Sequence, residues 1–207
     1  MSVKLILATE NEHKVREIRE LLSDLDVAVI HLGQLDAAPV LTETGATFAE
    51  NAREKACAVA HATGELALAD DSGLEVDTLG GEPGVRSARW AGEGAGGPEL
   101  VAKLLRELAQ VPDERRRARF VCALSLCAPE GEVGRWEGRV EGVIAHEPRG
   151  TGGFGYDPVF LYPEDGMTFA EMAPERKNAV SHRGRALQVF RADLPAILHE
   201  RSGATRT

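Results

Sequence analysis

The sequence has few cysteines and none of them at metal-ligand spacing. Cys57, Cys122 and Cys127 are the three in 207 residues. An odd count without a Cys-x-x-Cys pair argues against a disulfide framework and a zinc knuckle, so buried free thiols in a reducing compartment are expected. A long apolar run is also missing. The N-terminal run stops at Ala8, too short for a signal peptide or a membrane span, so the expectation is a cytoplasmic protein with no membrane partner. Nor is there an excess of positive charge: 33 acidic against 24 basic residues leave a formal net charge of −9. That disfavours a nucleic-acid partner bound through its phosphates. The arginines at 115, 116, 117 and 119 have no interleaved aromatics and read as an exposed loop. A small anionic substrate stays compatible with the acidic total, because a local cation cluster or a bound metal overrides net charge.

Internal repeats and low-complexity linkers are absent as well. With 43% hydrophobic and 28% charged residues, the chain fits one globular domain. That domain is expected to span residues 1–200, followed by a small, polar tail at 201–207 that frays.

What is present alternates between strand and helix patterns. Residues 4–8 read as a buried first strand. From Lys14, Val15, Ile18, Leu21, Leu22 and Leu25 recur at helical spacing, and 27–31 reads as a second strand. Thr47 and Glu50 form a capping box at the head of an alanine-rich helix reaching about residue 63, which Gly64 stops. A short strand is expected over 66–70, a turn at 71–73 and a further strand at 74–76. Residues 98–108 read as a helix with Pro98 in its first turn. Two longer strands, 119–127 and 134–144, are joined by a turn at 129–132, and a last helix runs from about 181 towards 198. The fold class is therefore α/β with a mixed sheet.

Five segments carry side chains suited to chemistry. In residues 9–14 a strand, a polar loop and a helix start bring backbone N–H groups to one point, with partial positive charge from the helix. Thr9 adds a hydroxyl, Asn11 an amide and Lys14 a cation, a set able to hold a triphosphate without the glycines or the Gly-Lys-Ser/Thr end of a P-loop. In 67–73 an apolar strand runs into Asp70 and Asp71, whose side chains alternate between faces. A carboxylate at such a strand end suits magnesium and can act as base for a water. Glu43 offers a further carboxylate, and Asn51 and Lys55, four apart on the capped helix, read as an ordinary exposed pair. Phe154 and Tyr156 lie among glycines that let the backbone approach a ligand closely, with Asp157 fixed by Pro158. Lys177, His182 and Arg183 supply donors near the start of the last helix, where Ser181 is the expected N-cap. Each segment also has a purely local explanation: a cap, an Asp-Ser-Gly turn, a glycine-rich hairpin loop, a solvated basic helix start.

Their order along the chain resembles the inosine/xanthosine triphosphate pyrophosphatase family. The resemblance rests on Ala8-Thr9-Glu10-Asn11-Glu12-His13-Lys14, Thr47-Phe48-Ala49-Glu50-Asn51-Ala52, Ala69-Asp70-Asp71-Ser72-Gly73-Leu74, Gly80-Gly81-Glu82-Pro83-Gly84, Gly150-Thr151-Gly152-Gly153-Phe154-Gly155-Tyr156-Asp157-Pro158 and Ser181-His182-Arg183-Gly184, and spans about residues 3–199. It implies an elongated sheet flanked by helices, two lobes with the active-site cleft between them, and a homodimer. The implied activity is magnesium-dependent hydrolysis of ITP, dITP and XTP to the monophosphate and pyrophosphate. Asp71 is implied as general base and Mg2+ ligand, with Glu43 as second ligand. Thr9, Glu10, Asn11, Glu12, His13, Lys14 and Ser72 are implied at the phosphates. Phe154, Gly155, Tyr156, Asp157, Lys177, His182 and Arg183 are implied around the purine and sugar. Lys14, with Lys55 beside it as a second candidate, would face the departing pyrophosphate. Glu10 stands where the family often has glycine. Two alternatives are a pyrimidine or modified-nucleotide pyrophosphatase of the septum-formation-inhibitor type, and a nucleotide sensor without catalysis. The Ser-His-Arg-Gly and Gly-Gly-Phe-Gly-Tyr-Asp runs argue against the first, the Asp70-Asp71 pair against the second.

Overall fold

The structure, a computed structural model, describes residues 3–204, the side chains of 202–204 excepted. The strands β1 (Val3–Leu7), β2 (Val27–His31), β3 (Leu66–Val76), β4 (Arg117–Ala128), β5 (Gly131–Ile144), β6 (Phe160–Tyr162) and β7 (Met167–Thr168) form a seven-stranded sheet in the order β2-β1-β3-β4-β5-β6-β7. β1 pairs parallel with both β2 and β3, whereas β6 is antiparallel to β5 and β7. With the helices α1 (Glu12–Leu21), α2 (Phe48–Thr63), α3 (Gly97–Glu107), α4 (Pro174–Val180) and α5 (His182–Ala204), this is the mixed α/β architecture expected from the alternating patterns. The short elements β6, β7 and α4 carry too little periodicity to have been read from sequence. Residues 201–204 of the expected tail belong to the last turn of α5; residues 205–207 lie outside the described residues.

The chain divides into two compact units: residues 1–71, 123–138 and 184–207 in the first, 72–122 and 139–183 in the second. In the first unit, Leu5, Ile6 and Leu7 of β1, Val15 and Ile18 of α1, and Leu187, Phe190 and Leu194 of α5 are buried. The alanine-rich face of α2 buries Ala52, Ala56, Val59 and Ala60. Its two ends are set locally. The Thr47 side chain accepts from Glu50 N while Glu50 reaches back to the Thr47 N–H, and Gly64 ends the helix at φ 72°, a left-handed conformation that costs glycine little.

The second unit has a core of Leu74, Leu104, Phe120, Phe160 and Phe169 among others. Phe160 lies 4.6 Å from Phe120 and 4.9 Å from Phe169, ring to ring, the tilted geometry that aromatic quadrupoles favour.

Three expectations are corrected. First, no turn forms at 71–73: β3 runs unbroken through Asp71, Ser72 and Gly73 to Val76. Leu74 and Val76 are fully buried, and this burial outweighs the local turn preference of Asp-Ser-Gly. Second, the arginine run is only partly an exposed loop: Arg115 and Arg117 are exposed, but Arg117 and Arg119 belong to β4 and Arg116 turns inwards. Arg116 is buried, donating to the carbonyls of Ile144 at 2.7 Å, Leu108 at 2.8 Å, Ala145 at 3.0 Å and Val111 at 3.4 Å. Its fork of five donors suits a ring of carbonyls, and burial holds its guanidinium below the usual value. Third, Cys57 of α2 and Cys127 of β4 form a disulfide although 70 residues apart. The fold brings their Cα atoms to 5.0 Å, which spacing in the sequence could not reveal. Cys122 is buried and outside that bond.

Candidate active site

Asp70 and Asp71 are neighbours on a continuous strand, so their side chains leave it on opposite faces. Both are buried in the first unit, and each meets a different lysine. Asp70 Oδ1 lies 2.5 Å from Lys14 Nζ. Lys55 Nζ donates to Asp71 Oδ1 at 2.7 Å, to Glu43 Oε1 at 2.8 Å and to the Asp70 carbonyl at 3.2 Å. Asn51 Nδ2 donates to the other Asp71 oxygen, Oδ2, at 3.2 Å. Asn51 and Lys55 are thus not the exposed surface pair that their spacing suggested. The same one-turn spacing turns both inwards onto Asp71, and both are buried.

Burial raises the Asp71 carboxyl above its ordinary value, and the ammonium groups of Lys55 and Lys14 offset only part of that. For Lys55 burial acts downwards, but the Asp71 and Glu43 carboxylates outweigh it and keep the ammonium above its usual value. The pair is a buried carboxylate in charge-assisted contact with a buried ammonium.

The loop at 9–14 differs from expectation in one respect. Three of its N–H groups already have side-chain partners: Asn11 N donates to Thr9 Oγ1 at 3.2 Å, and Asn11 Oδ1 accepts from His13 N at 3.0 Å and Lys14 N at 3.3 Å. Asn11 is therefore the N-cap of α1, satisfying amides that would otherwise lack partners. Glu10, Glu12 and His13 are exposed, and His13 Nδ1 is 3.2 Å from an Arg16 guanidinium nitrogen.

In the second unit, residues 150–158 form a loop whose shape depends on Asp157. Its Oδ2 accepts from the Phe154 N–H at 2.8 Å and from Lys177 Nζ at 2.7 Å. Gly153 has φ 69°, and a Cβ there would sit 2.1 Å from Asp157 Oδ2, so glycine is required on both counts. The Phe154 ring has Lys177 Nζ 4.9 Å and the Arg183 guanidinium 5.7 Å from its centre. Arg183 is itself buried and donates to Ser72 Oγ at 2.9 Å. His182 stacks on Phe120 at 4.7 Å. Tyr156 donates its hydroxyl to the Ser87 carbonyl at 2.9 Å, and burial pushes its phenol pKa up. Tyr156 thus ties the loop to the segment of Ser87 and is buried, whereas Phe154 is half-buried. Gly155, at φ 61°, makes the turn between them. Ser181 closes α4 and stands directly before α5.

Two sets of side chains emerge: carboxylates with lysines in the first unit, an aromatic ring framed by cations in the second. The first set suits a polyanionic group with a cation, the second a flat ring with acceptor edges. Comparison with known proteins agrees with this class. Residues 5–193 match the Ham1 family. The dITP/XTP pyrophosphatase of Desulforamulus reducens is 52% identical over 186 residues, 90% of this chain and 92% of its own. That of Thermus thermophilus is 53% identical over 188 residues, 91% and 90% of the two chains. The solved structure of a HAM1 protein from Coxiella burnetii superposes with a TM-score of 0.85 at 42% identity, covering 94% of this chain and 99% of that one. The chain belongs to the Ham1 family, as the order of its motifs implied.

Proposed function

We propose that the chain hydrolyses ITP, dITP and XTP to the nucleoside monophosphate and pyrophosphate, with Mg2+, and so clears deaminated purines from the nucleotide pool. The observation that carries this reading is the Asp71 carboxylate, buried within β3 and held by Lys55 and Asn51. The kinship with dITP/XTP pyrophosphatases of about half-identical sequence supports the substrate class.

Asp71 and Glu43 would hold the metal. Their oxygens converge on the one ammonium of Lys55, and two hard carboxylate donors suit Mg2+, which takes its remaining ligands from water and phosphate. No group of three His, Cys, Asp or Glu side chains able to hold a metal occurs among the described residues. When bound, Mg2+ screens the triphosphate and polarises the α–β linkage. Asp71 takes the proton of a water that attacks the α-phosphorus; the α–β bond breaks and pyrophosphate leaves. Lys14 and Lys55 offset the charge that develops on it. Lys14 is the member of the 9–14 segment with a full charge to offer. Thr9, Asn11, Glu12 and His13 shape the loop around it, Glu10 lowers its positive potential, and Ser72, anchored by Arg183, borders the same phosphates.

Phe154 stacks on the base, and Lys177, His182 and Arg183 direct donors at its 6-oxo edge. An adenine amino group would leave such a donor unpaired, at a cost of about 1–3 kcal/mol. Gly155 and Asp157 keep Phe154 in place, and Tyr156 holds the loop from behind. We further place the enzyme in the cytoplasm as a homodimer; no helix among the described residues is long and apolar enough to cross a membrane. The test is pyrophosphate release from ITP, dITP, XTP, GTP, ATP, UTP and dTTP. Preference for the deaminated purines is expected. A preference for UTP or dTTP would favour the septum-formation-inhibitor type, and binding without turnover a sensor.

A further inference from the structure

The loop that carries Glu43 has no regular structure between residues 35 and 47, yet it is fastened amide by amide to the first turns of α2. Thr44 N donates to Glu54 Oε2 at 3.3 Å, Gly45 N to Asn51 Oδ1 at 2.8 Å, and Ala46 N and Thr47 N to Glu50 Oε2 at 2.8 and 3.1 Å. Three of these four bonds end on Glu50 or Glu54, which are exposed or half-exposed. The fourth is different. Asn51 is fully buried, and its other amide atom is the donor to Asp71 Oδ2.

The orientation of that amide is set by its partners. The Gly45 N–H can only donate, so the atom facing it is the Asn51 carbonyl oxygen, and the NH2 is turned to the Asp71 carboxylate. One side chain therefore grips the Glu43 loop with an acceptor and Asp71 with a donor. No other residue type of this size offers both at once. Asp would keep the acceptor and lose the donor; Leu would lose both. The fit at Gly45 is equally close: a Cβ there would lie 2.6 Å from Glu50 Cβ and 2.9 Å from Asn51 Oδ1. Only glycine lets this stretch of loop reach Asn51.

We propose that Asn51 is a positioning residue that couples the Glu43 loop to Asp71, setting the spacing of the two carboxylates and leaving Lys55 to bridge them. Gly45 is the contact through which it does so. The inference rests on the reading of Asp71 and Glu43 as the reacting and metal-holding groups.

The experiment uses the full chain. Steady-state kcat and KM for dITP with Mg2+ and, in separate samples without nucleotide, Mn2+ affinity by electron paramagnetic resonance are measured for wild type, Asn51→Asp, Asn51→Ala, Gly45→Ala and Asn51→Ala/Gly45→Ala. Asn51→Asp is expected to lower kcat about 30- to 100-fold with KM within about threefold, as for a sub-ångström displacement of a reacting group. Gly45→Ala is expected to weaken Mn2+ binding about tenfold, as loss of a ligand's outer support does. Because Gly45 acts through Asn51, the double variant should be no worse in Mn2+ affinity than Asn51→Ala alone, within about twofold. Additive effects, or wild-type kcat and Mn2+ affinity with only a lowered melting temperature, overturn the proposal. If the Asn51 variants do not fold, wild-type kcat and Mn2+ affinity in Gly45→Ala overturn it alone. Asp71→Asn separates the two levels. If it turns over normally, the reading of the site falls. If it is inactive while Asn51→Asp and Gly45→Ala are normal, the site stands and the coupling falls.

Discussion

The two groups of functional side chains differ in charge and in kind. In the first unit two ammoniums, Lys14 and Lys55, meet three carboxylates, Glu43, Asp70 and Asp71. In the second, Lys177 and Arg183 flank the ring of Phe154, and the Asp157 carboxylate holds Lys177. A group one negative charge in excess is completed by a cation, and a cationic frame around a ring by a flat ligand with acceptor edges. The first should therefore govern the rate of bond breaking and the second the affinity for the base.

Several variants would break or sharpen that division. Asp71→Asn should lose turnover about 1000-fold or more, as removal of a general base does, while nucleotide binding measured by calorimetry persists. Loss of binding with intact turnover per bound substrate would invert the assignment. Lys55→Met should lower kcat about 100-fold, the scale of one preorganised donor to developing charge; a change confined to KM would remove Lys55 from the chemistry. Phe154→Ala should raise KM for dITP about 10- to 100-fold at nearly constant kcat, from about 1–3 kcal/mol of base stacking. A fall in kcat with unmoved KM would mean that the two groups do not divide the work.

Two further variants test the frame and not the site. Arg116→Leu strips hydrogen bonds from carbonyls in the second unit and should cost about 3 kcal/mol. That lowers the melting temperature by about 6–12 °C for a chain of this size; unchanged melting would mean that water replaces the guanidinium. The smallest effect belongs to Asp165→Asn. The hydrogen bond from Arg176 holds the Asp165 carboxyl below its usual value. The folded state then binds fewer protons than the unfolded one. The pair's contribution is present above the unfolded carboxylate pKa of about 4 and is lost as pH falls through the depressed folded value. Melting should be almost unchanged at neutral pH, with a shallower loss of stability on acidification; a large neutral-pH effect would show Asp165 doing more than this pair.

What could be read along the chain was local. The Thr47–Glu50 capping box and the Gly64 stop are one-turn relations and appear where expected. The last helix, the hairpin strands and the glycine-rich loop were legible for the same reason. Lys55 and Asn51 were legible as sharing a helix face but not as buried, because spacing orders residues around a helix without saying which side meets the core. β3 was read as broken, because local turn preference cannot register the burial of Leu74 and Val76.

The sequence by itself determined the alternation of elements, the caps that bound them and the order of motifs that identifies the family, all encoded within short stretches of chain. Tertiary structure alone decided that Asp70 and Asp71 meet separate lysines, that Cys57 meets Cys127 across 70 residues, that Arg116 turns inward, and that Asn51 holds Asp71 and the Glu43 loop at once. Each of these joins distant segments, and the free energy of a buried polar group depends on the partners that folding brings to it, not on its neighbours in sequence.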